Sequence, residues 1–325
     1  MRELSMIEAI REAMFQEMEV DERVIVIGQD VGAMGGVFRA TEGLQAKYGD
    51  QRVVDMPLAE AVIGAAAIGL AAAGMVPVAE IQFLGFTHQA FHQIAPQLAR
   101  MRFRSGGALS GQVTLRAPFG GLVRTPEHHG DAIEAQYVQA PGIKIAMPAT
   151  AHDAKGMLIA SIRDPDPVLF CEPLRGYRLI RDDVPEEPYE VPLGKAAIVR
   201  EGSDVTLIAW SAAVALCLQA ADELAAQGVQ AKVVDLRTLV PFDVETVVNA
   251  ASATGRVVVV HEAPLSAGFG AEVVSTIQEE AFYDLEAPIQ RVTSWDTPYP
   301  PTRVEENYFP SVARVVAAAM ATQGS

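Results

Sequence analysis

Residues 61–79 carry no charged and no hydrogen-bonding side chain, and Glu60 is the last carboxylate before them. Few structures accept such a run. Its first part is rich in Ala and favours helix. Pro57 suits the turn that opens a helix, where a missing N–H costs nothing, and Gly74 and Pro77 end it. The run approaches the length that spans a bilayer. It is poor in Leu and Phe and broken by Pro77, however, so a buried helix of a soluble protein is expected. Glu60 then stands at the helix head, partly stripped of water. There it either complements the helix dipole or, as a poorly hydrated carboxyl, holds and passes a proton.

The length of 325 residues predicts about two domains. Half the residues are hydrophobic, which supplies large cores and excludes global disorder. A net charge of −16 argues against nucleic acid or an anionic membrane as partner and leaves room for a basic protein. Cys171 and Cys217 are the only cysteines, and Met1-Arg2-Glu3-Leu4-Ser5 lacks the apolar core of a signal peptide. Both features lead to the expectation of a reducing, cytoplasmic setting.

Short β-branched runs alternate with Ala-rich helical ones. Strands are expected near 23–28, 76–81, 112–116 and 143–147, and helices near 5–19, 58–73, 87–102 and 151–163. The acidic, proline-rich stretch from Asp182 to Tyr189 reads as an interdomain linker. Alternation then resumes, with strands near 205–210, 231–236, 256–261 and 289–292 and helices near 212–227, 243–252, 270–282 and 311–321. This predicts two open α/β domains with mostly parallel sheets, 1–181 and 194–325, joined by a linker at 182–193. In such sheets ligands gather at the carboxyl ends of strands.

Several candidates sit at those ends. Gln29 and Asp30 follow the first strand, Gln82 and Phe83 end another, and His128-His129 lie in a Gly/Pro-rich loop after 112–116. With Glu60 they can converge on one sheet edge. Loop histidines are ordinarily solvated or structural, and so is His261 beside Glu262 at a strand end. His88 and His92 share a helix face without a third matched ligand. Gly268-Phe269-Gly270 faintly suggests a dinucleotide loop, but Val273 stands where its third glycine belongs.

Taken together, Gly28-Gln29-Asp30-Val31-Gly32, Pro57-Leu58-Ala59-Glu60, Ala79-Glu80-Ile81-Gln82-Phe83, Arg102-Phe103-Arg104-Ser105-Gly106-Gly107, Asp235-Leu236-Arg237-Thr238-Leu239-Val240-Pro241 and Asp296-Thr297-Pro298-Tyr299-Pro300 carry a resemblance. The chain resembles the β subunit of the thiamine-diphosphate-dependent, decarboxylating component of 2-oxo acid dehydrogenase complexes, almost end to end. The resemblance implies a pyrimidine-binding domain followed by a transketolase C-terminal-like domain that serves assembly. It also implies that Glu60 bonds the cofactor's aminopyrimidine ring and drives its activation. His129 matches the histidine that assists acyl transfer to lipoyl groups. Gln29, Leu58, Ala59, Gln82 and Phe86 match cofactor-lining positions, and Phe83, Phe86 and His129 substrate-facing ones. Carbonyls of Val113, Ser161, Ile162, Asp164 and Asp166 correspond to a structural potassium site in some relatives.

Gln29 departs from the Gly-Glu-Asp of many relatives, and an amide cannot ionise. Thr-Pro-Glu before His128 resembles pyruvate enzymes, whereas His261-Glu262-Ala263-Pro264-Leu265 looks closer to branched-chain ones. The chain has no Gly-Asp-Gly, the start of the motif that holds diphosphate and magnesium in thiamine enzymes. The resemblance therefore implies that an α subunit holds both, in an assembly of two α and two β chains on a dihydrolipoyl acyltransferase core. An acetoin-cleaving relative and a non-catalytic assembly subunit of the same fold are the alternatives.

Overall fold

A computed structural model describes residues 2–324. The chain divides into two compact units. The first runs to Gly120 and resumes over His128–Leu193; the second takes Gly121–Glu127 and everything from Gly194.

Within the first unit, six parallel strands lie in the order Val53–Asp55, Val24–Gly28, Val76–Glu80, Thr114–Phe119, Val168–Pro173 and Lys144–Ala146. Four of these six are buried along their whole length, which is why they read as continuous apolar runs rather than alternating ones. Helix Met6–Val20 starts at Ser5, whose N–H donates to Glu8 Oε2 at 2.8 Å. It buries Met6, Ile10, Met14 and Met18 against helix Ala151–Arg163. That second helix is capped by Thr150, which accepts from the Asp153 N–H at 3.0 Å.

The uncharged run does form a helix, Glu60–Ala72, followed by strand Val76–Glu80. Among the described residues no helix is long and apolar enough to cross a membrane. The helix expected over 87–102 is broken into a 3₁₀ turn, Leu84–Ala90, a π segment, Gln93–Leu98, and a short helix, Met101–Arg104. Pro96 inside the segment removes a backbone donor and so prevents a regular α ladder. The stretch expected to be linker begins instead as a strand. Arg181–Val184 pairs antiparallel with Arg2–Ser5, and the buried Lys155 ammonium binds the carbonyls of Pro185, Glu186 and Glu187 and the Glu12 carboxylate.

The second unit holds the sheet order Gln290–Ser294, Val257–Pro264, Val205–Ala209, Ala231–Asp235 and Ala197–Arg200. All neighbours are parallel except the last pair. His261 lies in its core, fully buried and stacked on Trp210 with ring centroids 4.9 Å apart. Gly268 and Gly270 leave room for this imidazole, which accounts for the glycine pair without a dinucleotide. Burial, with the charge of Arg291 second, pushes the His261 imidazole down to about 3. Below pH 6.5 the unfolded chain gains a proton that the folded chain refuses, so stability falls as pH falls. Between pH 6.5 and 4.5 the expected loss is roughly 2–3 kcal/mol, at about 1.4 kcal/mol per pH unit. Urea unfolding across this range should show it in the native chain and show clearly less of it in His261→Phe.

Candidate active site

Strand order brings the candidate loops together. The four neighbouring strands from Val53–Asp55 to Thr114–Phe119 point the same way, so their carboxyl ends share one edge. At roughly 4.8 Å per strand, that edge spans about 15 Å. From it emerge residues 56–60, 29–30, 81–86 and 120 onward.

Glu60 opens its helix with Ala59 at the cap position and no capping side chain. The carboxyl is only 4% exposed, and its Oε2 has no hydrogen-bond partner. Buried polar atoms are almost always paired. An isolated one costs about 1–3 kcal/mol, more for a charge. The helix carrying Glu60 packs against the turn Leu84–Ala90.

Around that turn the aromatic residues converge. His129 sits against Phe83 (centroids 4.6 Å) and Phe86 (4.9 Å), both edge-on. Phe83 also meets Phe86 at 5.2 Å and Phe38 at 5.5 Å. Phe38 belongs to this cluster although the sequence reading did not single it out; its position eight residues past Asp30, in the glycine loop, was the available hint. His128 is exposed and His129 half-buried. Gly85 permits this arrangement, because a Cβ there would lie 2.3 Å from the His128 carbonyl oxygen. Gln82 Nε2 reaches Asp30 Oδ2 at 3.4 Å, joining two more predicted positions. Gln29 is half-buried at the end of its strand, and Ala59 is half-buried too. Leu58 is 71% exposed.

Beneath the edge lies a buried ion network. Arg116 binds Glu172 through two bonds of 2.7 and 2.9 Å and Glu80 through one of 2.7 Å, and the Tyr177 hydroxyl donates to Glu172. Burial pushes the Glu80 carboxyl up, against the opposing pull of Arg116. Burial alone would pull Arg116 down, but its two carboxylates outweigh that and hold it charged. Removing one partner of such a network leaves a buried charge uncompensated. The network therefore fixes the strand that ends in Glu80 and so the following Ile81-Gln82-Phe83.

The carbonyls expected for potassium are at the opposite, amino edge, before strands Thr114–Phe119 and Val168–Pro173. Val113 O already accepts from the Val168 N–H and Ile162 O from the Gln112 amide, at 2.9 and 3.0 Å. His88 and His92 bond Gln136 and Gln97. No group of three metal-ligating side chains occurs among the described residues.

Residues 2–178 match the transketolase pyrimidine-binding domain and residues 194–315 the transketolase C-terminal domain. The chain is 49% identical over 311 residues to the pyruvate dehydrogenase E1 component subunit beta of Bacillus subtilis, covering 96% of each chain. To the same subunit of Staphylococcus epidermidis it is 48% identical over 322 residues, covering 99% of each. The chain belongs to this β-subunit family. Solved structures agree on the fold. A split-gene transketolase, described as an inactive β4 tetramer, superimposes with a TM-score of 0.80 at 23% identity, covering 99% of this chain and 98% of that one. A transketolase mutant from Pichia stipitis gives 0.71 at 15% identity, with this chain spanning 46% of its length. The orphaned Glu60 Oε2 fits a ligand that brings a ring nitrogen to it.

Proposed function

We propose that this chain is the β subunit of a pyruvate-type 2-oxo acid dehydrogenase and completes, with a separate α subunit, a site for thiamine diphosphate. The observation that carries the reading is the buried, unpartnered Glu60 Oε2 on the edge that also holds Phe83, Phe86 and His129. Glu60 holds and moves a proton at its carboxyl oxygen, against the aminopyrimidine ring. Gln29, Leu58, Ala59, Gln82 and Phe86 flank the cofactor. Phe83 and Phe86 exclude water beside the 2-oxo acid, which strengthens every polar contact made there. Bound thiamine supplies the electron sink for decarboxylation. His129 would orient the lipoyl disulfide, which supplies the two-electron oxidation as one sulfur takes the acyl group, and would give a proton from its imidazole to the other sulfur as the S–S bond breaks. Pyruvate is the favoured substrate because the relatives carry that name.

A partner chain is supported by helix Glu60–Ala72. It has no polar face, yet Val62 is 48% exposed and Gly69 has open space beside it. A helix that is apolar all round is normally buried. We assign magnesium and diphosphate to the α subunit, two α and two β chains to the assembly, and the acyltransferase core to its docking partner, in the cytoplasm. Potassium at the carbonyls of Val113, Ser161, Ile162, Asp164 and Asp166 would serve structure only, since these lie away from the catalytic edge. We assign the domains as 1–181 and 194–325, with 182–193 as a connection that packs within the first unit.

Two experiments test the reading. The co-expressed pair, assayed with pyruvate, branched 2-oxo acids and acetoin, should show the highest kcat/KM for pyruvate; a higher value for acetoin overturns the assignment. The purified single chain should bind thiamine diphosphate weakly even with magnesium, and tight binding in calorimetry would sink the shared-site idea.

A further inference from the structure

The aromatic wall beside His129 is more than one ring deep. Phe83 meets His129 at 4.6 Å and Phe86 at 5.2 Å. It also meets Phe38 edge-on, with centroids 5.5 Å apart and planes at 87°. Phe38 in turn meets Tyr177 at 5.7 Å. All of these residues lie in the first unit. Phe83 is therefore the ring through which Phe38 reaches the space beside His129, and Tyr177 stands one layer further in.

Each deeper layer is held by its own contacts. Tyr177 is 4% exposed, and its hydroxyl donates to Glu172, which Arg116 binds through two bonds of 2.7 and 2.9 Å. Burial pushes the Tyr177 hydroxyl well above its ordinary range, so it stays protonated and donates. Phe38, half-buried, is held through its backbone as well. The Gly36 N–H donates to the Asp30 carbonyl at 2.7 Å, and the Thr41 N–H to the Gly35 carbonyl at 3.1 Å. The Thr41 hydroxyl donates to the Val31 carbonyl at 2.7 Å. These turns need left-handed backbone at Gly35 and Gly36, with φ 78° and 80°. A Cβ on Gly35 would also lie 2.7 Å from the Glu42 Cα. The loop is tied to itself and Tyr177 is tied to the ion network, so Phe83 rests on a backstop that yields little.

We propose that Phe38 is a specificity-determining residue: by backing Phe83 it fixes the depth of the space beside His129 and Phe86, and so the length of side chain that the 2-oxo acid can carry. It acts through Phe83 and is a positioning residue. The inference rests on reading Phe83 as substrate-facing. Deleting a packed ring leaves space that its neighbours fill only in part. Without Phe38, Phe83 settles back and the space for substrate deepens.

The test is the ratio of kcat/KM for 2-oxopentanoate to that for pyruvate, measured on the assembled α/β enzyme with an artificial electron acceptor. Loss of folded or assembled enzyme scales both values alike and cancels in the ratio, so a merely structural role would not move it. In Phe38→Ala the ratio should rise on the order of tenfold, the scale of added methylenes in an apolar pocket. Phe38→Leu keeps the loop filled and should raise it about threefold; it decides the matter if the alanine variant does not assemble. Phe83→Ala should raise the ratio at least as far as Phe38→Ala. Adding Phe38→Ala to Phe83→Ala should then change the ratio little, because the effect runs through Phe83. An unchanged ratio in the Phe38 variants beside a raised one in Phe83→Ala overturns the proposal, and so do gains that multiply in the double variant. A ratio unmoved by Phe83→Ala removes the substrate-facing reading itself, and the inference falls with it.

Discussion

Replacing Glu60 by Gln should abolish most decarboxylation and leave the fold as firm as before. The amide keeps the size and helix position of the carboxyl, so packing around the head of helix Glu60–Ala72 is preserved. What it loses is the ability to give and take a proton. Removing one such pre-placed group costs about 3–4 kcal/mol of transition-state stabilisation, a rate loss of roughly 10²–10³. Stability should hold. Glu60 Oε2 is buried without a partner, so replacement by the amide breaks no native hydrogen bond at that oxygen. The midpoint of thermal unfolding of the single chain should therefore stay level. The two measurements together are diagnostic. A loss of activity with a lower midpoint would mean a damaged helix start, and near-normal turnover would reduce Glu60 to a helix-head residue.

His129→Ala should separate two steps of one reaction. With an artificial electron acceptor, which bypasses lipoyl transfer, the variant should keep a substantial part of its activity. In the reconstituted complex it should lose most of it, on the order of 10²-fold, the usual scale for one proton-moving side chain. The neighbouring His128→Ala should do far less, because His128 is exposed while His129 is wedged between Phe83 and Phe86. Equal losses in both assays would reject the step assignment. A more damaging His128 variant would move the role by one position.

Much of this architecture is legible in the sequence because parallel strands buried on both faces are unmistakable apolar runs, as at 24–28 and 205–209. Glu60 stands out in the sequence as the last carboxylate before a long uncharged stretch, whose other end is Glu80. Short or exposed edge strands were not legible. Ala197–Arg200 leaves Ile198 and Val199 largely in solvent, and Val53–Asp55 is too short to show a period. Long-range polar contacts were invisible for a different cause. Glu80, Arg116 and Glu172 each look like a stray charge in an apolar strand, and only the sheet order makes them neighbours. The same holds for Glu305 and Leu122, whose meeting depends on tertiary packing that no local periodicity encodes.

The apolar surface of helix Glu60–Ala72 has a consequence for the cell rather than the enzyme. A subunit made in excess of its partner displays a strip of Ala, Gly and Val to water, and strips of that kind are what chaperones and proteases bind. Orphan copies should be short-lived, so the abundance of this chain would follow the supply of the proposed partner. Matched synthesis of the two would then be enforced by degradation of the surplus, with helix Glu60–Ala72 itself serving as the mark of an unassembled molecule.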